Sequence, residues 1–472
     1  MASKIWTDVF HWREFTNYFS NNELIILSTS CKKLRYKLIP CIFQIFKFKN
    51  FTTEGGYKGL VLHEGDNGYD ILLDEFRTRF GLYDYVNCND LEFNMTINPY
   101  RTLTGELLDS KTKFQSDLKL YCYQPKVLQI AFIDDYFHFL YDIPNTFTML
   151  KTLIIYNSII IIEAIQYLLD NLANLEDMEL TCCNLFKRKH KTNNYDLNWP
   201  LSLRKLKIGN NCFDNLDERE EAVILETYNF IDLEFNSYKV QPKKLPNLLD
   251  LDFEPTETDN DNELYEFLKV NPHIKKLKIC SSRFTPNFLN TIRDFRSLTH
   301  LDLISVVLNS VSNDYITSLK MVNFPILHGI QNLKFGTNDA KILHNMAQIF
   351  PNVSNMTLQS SFITYDLLCP AISKFSKLKI LKLHVYPRLV KSNDLNFDEF
   401  HNLESIEFVV DHYDKYEDFK WNASLCPKLR LVKFTKIDFY VYFDRPILTP
   451  ELANNWTLSY FRTKISFYKI KQ

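Results

Sequence analysis

The chain has 472 residues, with 55 Lys and Arg against 57 Asp and Glu, a formal net charge of -2, and 46% hydrophobic residues. That length exceeds the roughly 250 to 300 residues that one compact core supports, so the chain must divide or elongate. The balanced charge excludes a global electrostatic pull toward nucleic acid or an anionic membrane, and 10 glycines without a G-x-G-x-x-G or G-x-x-x-x-G-K run leave no phosphate-cradling loop.

Residues 5 to 40 carry Trp6, Val9, Phe10, Trp12, Phe15 and Phe19 at helical spacing. Lys4, Asp8, Arg13 and Glu14 interrupt them, so no signal-peptide or membrane-spanning core is expected. The expected compartment is the reducing cytosol or nucleus, where ten scattered cysteines without a C-x-x-C pair stay free thiols and hold no metal. Ser20-Asn21-Asn22-Glu23 is suited to cap a helix through Leu24, Ile25, Leu27 and Leu34, with Pro40 ending the helical stretch.

The run from Tyr18 to Arg35 resembles the F-box: Glu23 precedes Leu24-Ile25, then come Leu27-Ser28, Cys31-Lys32 and Arg35. It departs from the family pattern at Trp6-Thr7, where the family opens on Leu-Pro, and at Leu34, where the family has an aromatic. The resemblance implies an F-box segment over residues 1–48 that docks on the adaptor of an SCF-type cullin-RING ubiquitin ligase. It matches Phe15, Phe19, Leu24, Ile25, Leu27 and Cys31 to the family's apolar docking and core positions, while the rest of the chain selects a substrate protein. On the residues alone, the same helices also fit a cap over the open edge of a repeat stack.

Residues 49–120 show no clean register and read as irregular repeats or linker. From 121 to 440 the chain repeats. Leu175 to Leu185 fits L-x-x-L-x-L-x-x-N/C-x-L at every specified position, with Met178 for one Leu. Copies start at Val127, Leu150, Leu175, Leu203, Phe230, Leu248, Ile274, Leu298, Ile330, Val353, Leu378, Leu403 and Leu429, about 25 residues apart on average, inside the leucine-rich range. The expected fold is an α/β leucine-rich-repeat solenoid, a horseshoe with parallel strands on the concave face. Apolar positions 1, 4 and 6 point inward, and neighbouring repeats bury them jointly.

Polar residues at position 9, namely Cys183, Asn211, Ser282, Asn338 and Ser361, are expected to satisfy backbone groups where the chain leaves each strand. Helices are expected around Ile161 to Leu169 and over Asp339 to Phe350, where Pro351 ends the run. The 18-residue interval after Phe230 reads as a truncated repeat and the 32-residue interval after Leu298 as an expanded one. Residues 441–472 read as a C-terminal cap.

Positions 3 and 5 face the open side of the strands. They give an acidic block, Asp232, Glu234, Asp250 and Asp252, flanked by basic pairs, Lys205 with Lys207 and Lys276 with Lys278. This mixed-sign surface is the candidate substrate-binding face, and it suits a protein partner better than nucleic acid. Alternating charge that merely relieves repulsion between strands gives the same pattern. Lys187 to Lys191 reads as a solvated loop with a nuclear localisation signal as the alternative, and the acidic run Thr256 to Glu263 as a surface insertion. No H-E-x-x-H, G-x-S-x-G or kinase signature is present, and His138, His300 and His344 have no sequence partners, so a non-catalytic binding protein without cofactor is expected.

Overall fold

The computed structural model describes residues 21–30, 32–42, 44–48, several positions between 112 and 118, 125–131, 137–188, 197–216, 236–254, 262–304, 324–337, 339–360, 365–385, 395–396, 400–410, 421–422, 426–436, 455–461 and 463–470. Phe15, Phe19, Cys31, Asp232, Glu234, Asn338, Ser361 and nearly all of 49–120 lie outside the described residues. The chain divides into two compact units, Met1–Leu248 with Pro255–Asn260, and Leu249–Glu254 with Asp261–Gln472.

The first unit begins with two helices, Asn21–Ser30 and Lys32–Ile42. They pack on each other through Leu24, Leu34, Leu38 and Ile42, with Leu27 and Cys41 against that cluster. The second helix runs two residues past Pro40, where the sequence suggested an end. Ile42 lies one turn beyond Leu38, and burying it outweighs the hydrogen bond the proline removes.

Five parallel strands follow: β1 (Ile45–Lys47), β2 (Val127–Ala131), β3 (Thr152–Tyr156), β4 (Asp177–Thr181) and β5 (Lys205–Gly209). Strand β1 lies inside the segment read as purely helical, and it is held by Phe46, whose ring sits 4.9 Å from that of Phe147. Positions 4 and 6 are buried, as with Leu153 and Ile155 or Met178 and Leu180, each at most 1% exposed. Each such side chain contributes about 1.5 to 3 kcal/mol by leaving water. Val127 faces Thr152, the third residue of its copy, so the first repeat begins at Pro125 and not at Val127. A slip of two residues keeps every side chain on its face, which is why the alternation alone cannot reveal it.

The chain leaves β3, β4 and β5 in the same way. Asn157, Cys182 and Asn210, each the eighth residue of its repeat, have φ of 45°, 54° and 53°, the left-handed region. That turn launches a second short strand: Ile159–Ile161, Asn184–Arg188 and Cys212–Leu216 pair in parallel as a side sheet. Lys187 and Arg188 are therefore on a strand, correcting the loop assigned to them. Asn236–Ser237 pairs antiparallel with this side sheet, so the seventh and eighth residues of the Phe230 copy do not continue the main ladder.

A second lateral contact runs through the residue preceding position 1. Asn174 donates to the Thr148 carbonyl at 3.0 Å and Asn247 to the Leu201 carbonyl at 2.9 Å. In the second unit Asn352 and Asn402 repeat the contact on His328 and Ser376, each at 2.8 Å.

The second unit holds eight parallel strands: β6 (Asp250–Glu254), β7 (Lys276–Cys280), β8 (His300–Ile304), β9 (Asn332–Gly336), β10 (Asn355–Ser360), β11 (Ile380–Val385), β12 (Ser405–Val410) and β13 (Leu431–Lys436). Four connections here contain helices, Asn262–Val270, Pro286–Ile292, Ala340–Ile349 and Tyr365–Ile372, while those after β11 and β12 contain short strands, Leu395–Asn396 and Trp421–Asn422, that pair in parallel. The first takes in Asn262 and Glu263 from the acidic run read as an insertion. Asp339 stands just outside its helix, as the cap accepting the Lys341 N–H at 2.8 Å. Gly329 sits where a Cβ would lie 2.8 Å from the Leu298 carbonyl, so the long Leu298–Ile330 repeat re-enters the stack through a position only glycine fits.

The ladder ends in an antiparallel hairpin, β14 (Trp456–Phe461) and β15 (Lys464–Lys469), with β15 against β13. Trp456, Ile465 and Phe467 are buried, and the Phe467 ring meets that of Phe434 edge-on at 6.2 Å. Reversing strand direction here closes the stack with residues that carry no further repeat, as a solenoid end requires. Among the described residues no helix is long and apolar enough to cross a membrane.

Candidate recognition surfaces

Two surfaces carry the predicted site residues. On the N-terminal helices Leu24 is 5% exposed and Leu27 packs with it, so both belong to the helical pair's own core. Ile25 lies on the first helix. The apolar side chains turned to solvent are Ile26 and Tyr36, at 66% and 64% exposure, neither of which the sequence singled out. The signal for Ile26 was present, because it falls between Leu24 and Leu27 in a helix whose inward stripe those two define.

On the strand ladder, parallel register sets position 5 of each repeat beside position 5 of the next, about 4.8 Å away. Opposite charges at that spacing pair across strands. Lys207 Nζ lies 2.8 Å from Glu179, and Lys278 lies 2.8 Å from Asp252 and 2.5 Å from Glu254. Within the predicted set, Asp252 is buried and takes Lys278 from the next strand. Asp250 is partly buried, while Lys205 and Lys276 at position 3 are exposed. Glu254, at position 7 and outside the predicted set, is the second partner that holds Lys278.

The row continues through the second unit. Lys334 pairs with Asp302 at 3.2 Å, and Glu407 receives Lys433 at 2.6 Å and the Thr435 hydroxyl at 2.8 Å, with Lys382 at 3.9 Å. Burial would raise the Glu407 carboxyl, but the Lys433 and Thr435 hydrogen bonds and the Lys382 charge hold it below its ordinary range. Burial pushes Asp302 up despite Lys334. Burial would likewise lower Lys278, and its bonds to Asp252 and Glu254 raise it instead. His384, on β11 beside Lys382, is lowered to about 4 by burial and by the charges of Lys382 and Lys334. His300 is lowered by burial and Lys276.

At the exits from the ladder, among the described residues, position 9 has the predicted role at Asn211 and Cys183. Asn211 is buried; its Oδ1 accepts the Cys183 N–H at 3.0 Å and its Nδ2 donates to the Leu180 carbonyl at 2.7 Å. Cys183 is fully buried, donates to the Thr181 carbonyl, and has its thiol pushed up to about 12 by that burial. Ser282 does not act this way: it is exposed on a short helical turn and its hydroxyl reaches only Cys280 Sγ. Among the described residues no cluster of His, Cys, Asp and Glu is arranged to hold a metal ion.

These features define a stack of leucine-rich repeats, α/β in class, whose open strand face carries a patterned row of charge. No family model matches the sequence, and no curated protein matches it. Among solved structures, an internalin from Listeria monocytogenes aligns at 13% identity over 71% of this chain and 77% of that chain, with a TM-score of 0.25. So loose a superposition carries no argument, and the repeat assignment rests on this chain's own strand register.

Proposed function

We propose that this chain is a non-catalytic recognition protein and, more finely, a substrate receptor of an SCF-type cullin-RING ubiquitin ligase in the cytosol or nucleus. The helical pair would dock on the adaptor and the ladder face would hold the target protein. One observation carries the finer reading: the helices have an apolar cluster of their own, yet still present Ile26 and Tyr36 to solvent. Exposed apolar side chains on a self-contained element mark a partner surface.

The second reading is a plain repeat scaffold whose helices only cap the stack, and it is favoured by how closely they precede β1. Co-purification with the adaptor separates the two, using the full chain, the chain lacking residues 1–40, and the Ile26→Glu variant. Capture by the full chain alone supports the receptor. Capture by none of the three, with the truncated chain losing thermal stability, leaves the scaffold.

A further inference from the structure

We propose that the ladder face from β9 to β13 binds an extended acidic segment of a partner protein, with carboxylates three residues apart seated over Lys334, Lys382 and Lys433. The inference rests on the reading of this face as a recognition surface and assigns the chemistry of what it recognises.

Along position 5 the six strands β8 to β13 carry Asp302, Lys334, Thr357, Lys382, Glu407 and Lys433. Lys334 has Asp302, but Lys382 and Lys433 share the single carboxylate of Glu407, whose Oε1 already takes Lys433 at 2.6 Å and Thr435 at 2.8 Å. Lys382 is left at 3.9 Å from that oxygen with 38% of its side chain exposed. Among the described residues the position-5 row from β8 to β13 thus has three ammonium groups to two carboxylates. The toe of the same row, around Lys278, has the opposite excess, with two carboxylates on one lysine.

Spacing selects the partner. The three lysines occupy every second strand, so they recur at about 10 Å, twice the strand separation. A polyproline II segment turns every three residues and rises about 3.1 Å per residue, so carboxylates at every third position recur on one side at about 9 Å. Thr357 keeps the floor low between Lys334 and Lys382, and Gln359, paired with Gly336, offers an amide toward a bound backbone. Positions 3, 5 and 7 of β9 to β13 contain no Phe, Tyr, Trp or Arg, which removes the stacking that single-stranded nucleic acid needs and the forked donors that favour a phosphate.

The test measures fluorescence anisotropy of a labelled peptide of three Glu-Pro-Pro repeats with the purified full chain. Salt-sensitive binding is expected, weakened at least about tenfold by Lys382→Glu and unchanged by Lys341→Glu, an exposed residue on the helix Ala340–Ile349 away from the ladder face. If Lys382→Glu alters the melting temperature, Lys382→Gln gives the same reading with a smaller loss. The proposal is overturned by no binding, by equal binding of a Lys-Pro-Pro peptide, by preference for Glu at every second residue, by tighter binding of an oligouridine, or by indifference to position 382. Adaptor capture by Lys382→Glu should match that of the unaltered chain, so this proposal and the ligase reading fail separately.

Discussion

The two units share one ladder motif but leave it differently. In the first, an Asn or Cys in the left-handed region turns the chain into a second short strand, and the side sheet so formed ties consecutive repeats a second time. In the second, four connections pass into helices, as at Thr285, whose hydroxyl accepts the Phe288 N–H at 3.2 Å to cap Pro286–Ile292, and only the last two described ones carry a paired short strand. Apolar positions 1, 4 and 6 therefore fix the strand and nothing beyond it. The exit depends on a few polar residues, so the units respond to different substitutions.

The largest expected difference lies at position 9. Asn211→Ala strands the Cys183 N–H and the Leu180 carbonyl in the core and should cost about 3 kcal/mol, whereas Ser282→Ala should cost less than about 0.5 kcal/mol. Urea unfolding of both variants checks this, and equal losses would erase the contrast. Next, Glu407→Gln should cost about 1 to 2 kcal/mol at neutral pH. The folded carboxyl titrates below its unfolded value, so its contribution is present above the unfolded value and fades as pH falls through the folded one. Melting curves across that acid range should converge for the two proteins.

Cys182→Asn should gain about 1 kcal/mol, because cysteine in the left-handed region is strained where asparagine, as at Asn157 and Asn210, is tolerated. A thermal midpoint no higher than that of the unaltered chain would remove strain from the account of the first unit's exits. Smallest at neutral pH is His384→Gln. The folded imidazole titrates near 4 against 6.5 when unfolded, so the unfolded chain takes up the proton first as pH falls between those values. Stability is lost across that window in the unaltered chain, and the variant should flatten the loss.

Much of the ladder was legible. Leu153, Met178, Leu206 and Leu277 are buried at the positions their spacing assigns, because a strand has a period of two and one buried face. Asn211 could be anticipated from its type and place, and the asparagines before position 1 recur visibly in the sequence although their cross-repeat bonds were not foreseen. The charged positions were visible as a row, but not who pairs with whom. That Lys278 reaches back across the strand to Asp252 could not be read from the row.

By itself, the sequence determined that this chain is built of short parallel strands with a buried apolar stripe, since only repeated stacking can bury a stripe no single repeat can cover. Tertiary structure alone decided the register of the first repeat, the pairing of Asn236–Ser237 with the side sheet, the hairpin that ends the ladder, and which lysine is left with half a carboxylate. Those depend on distances between residues some 25 positions apart, and a periodic pattern of hydrophobicity carries no information about them.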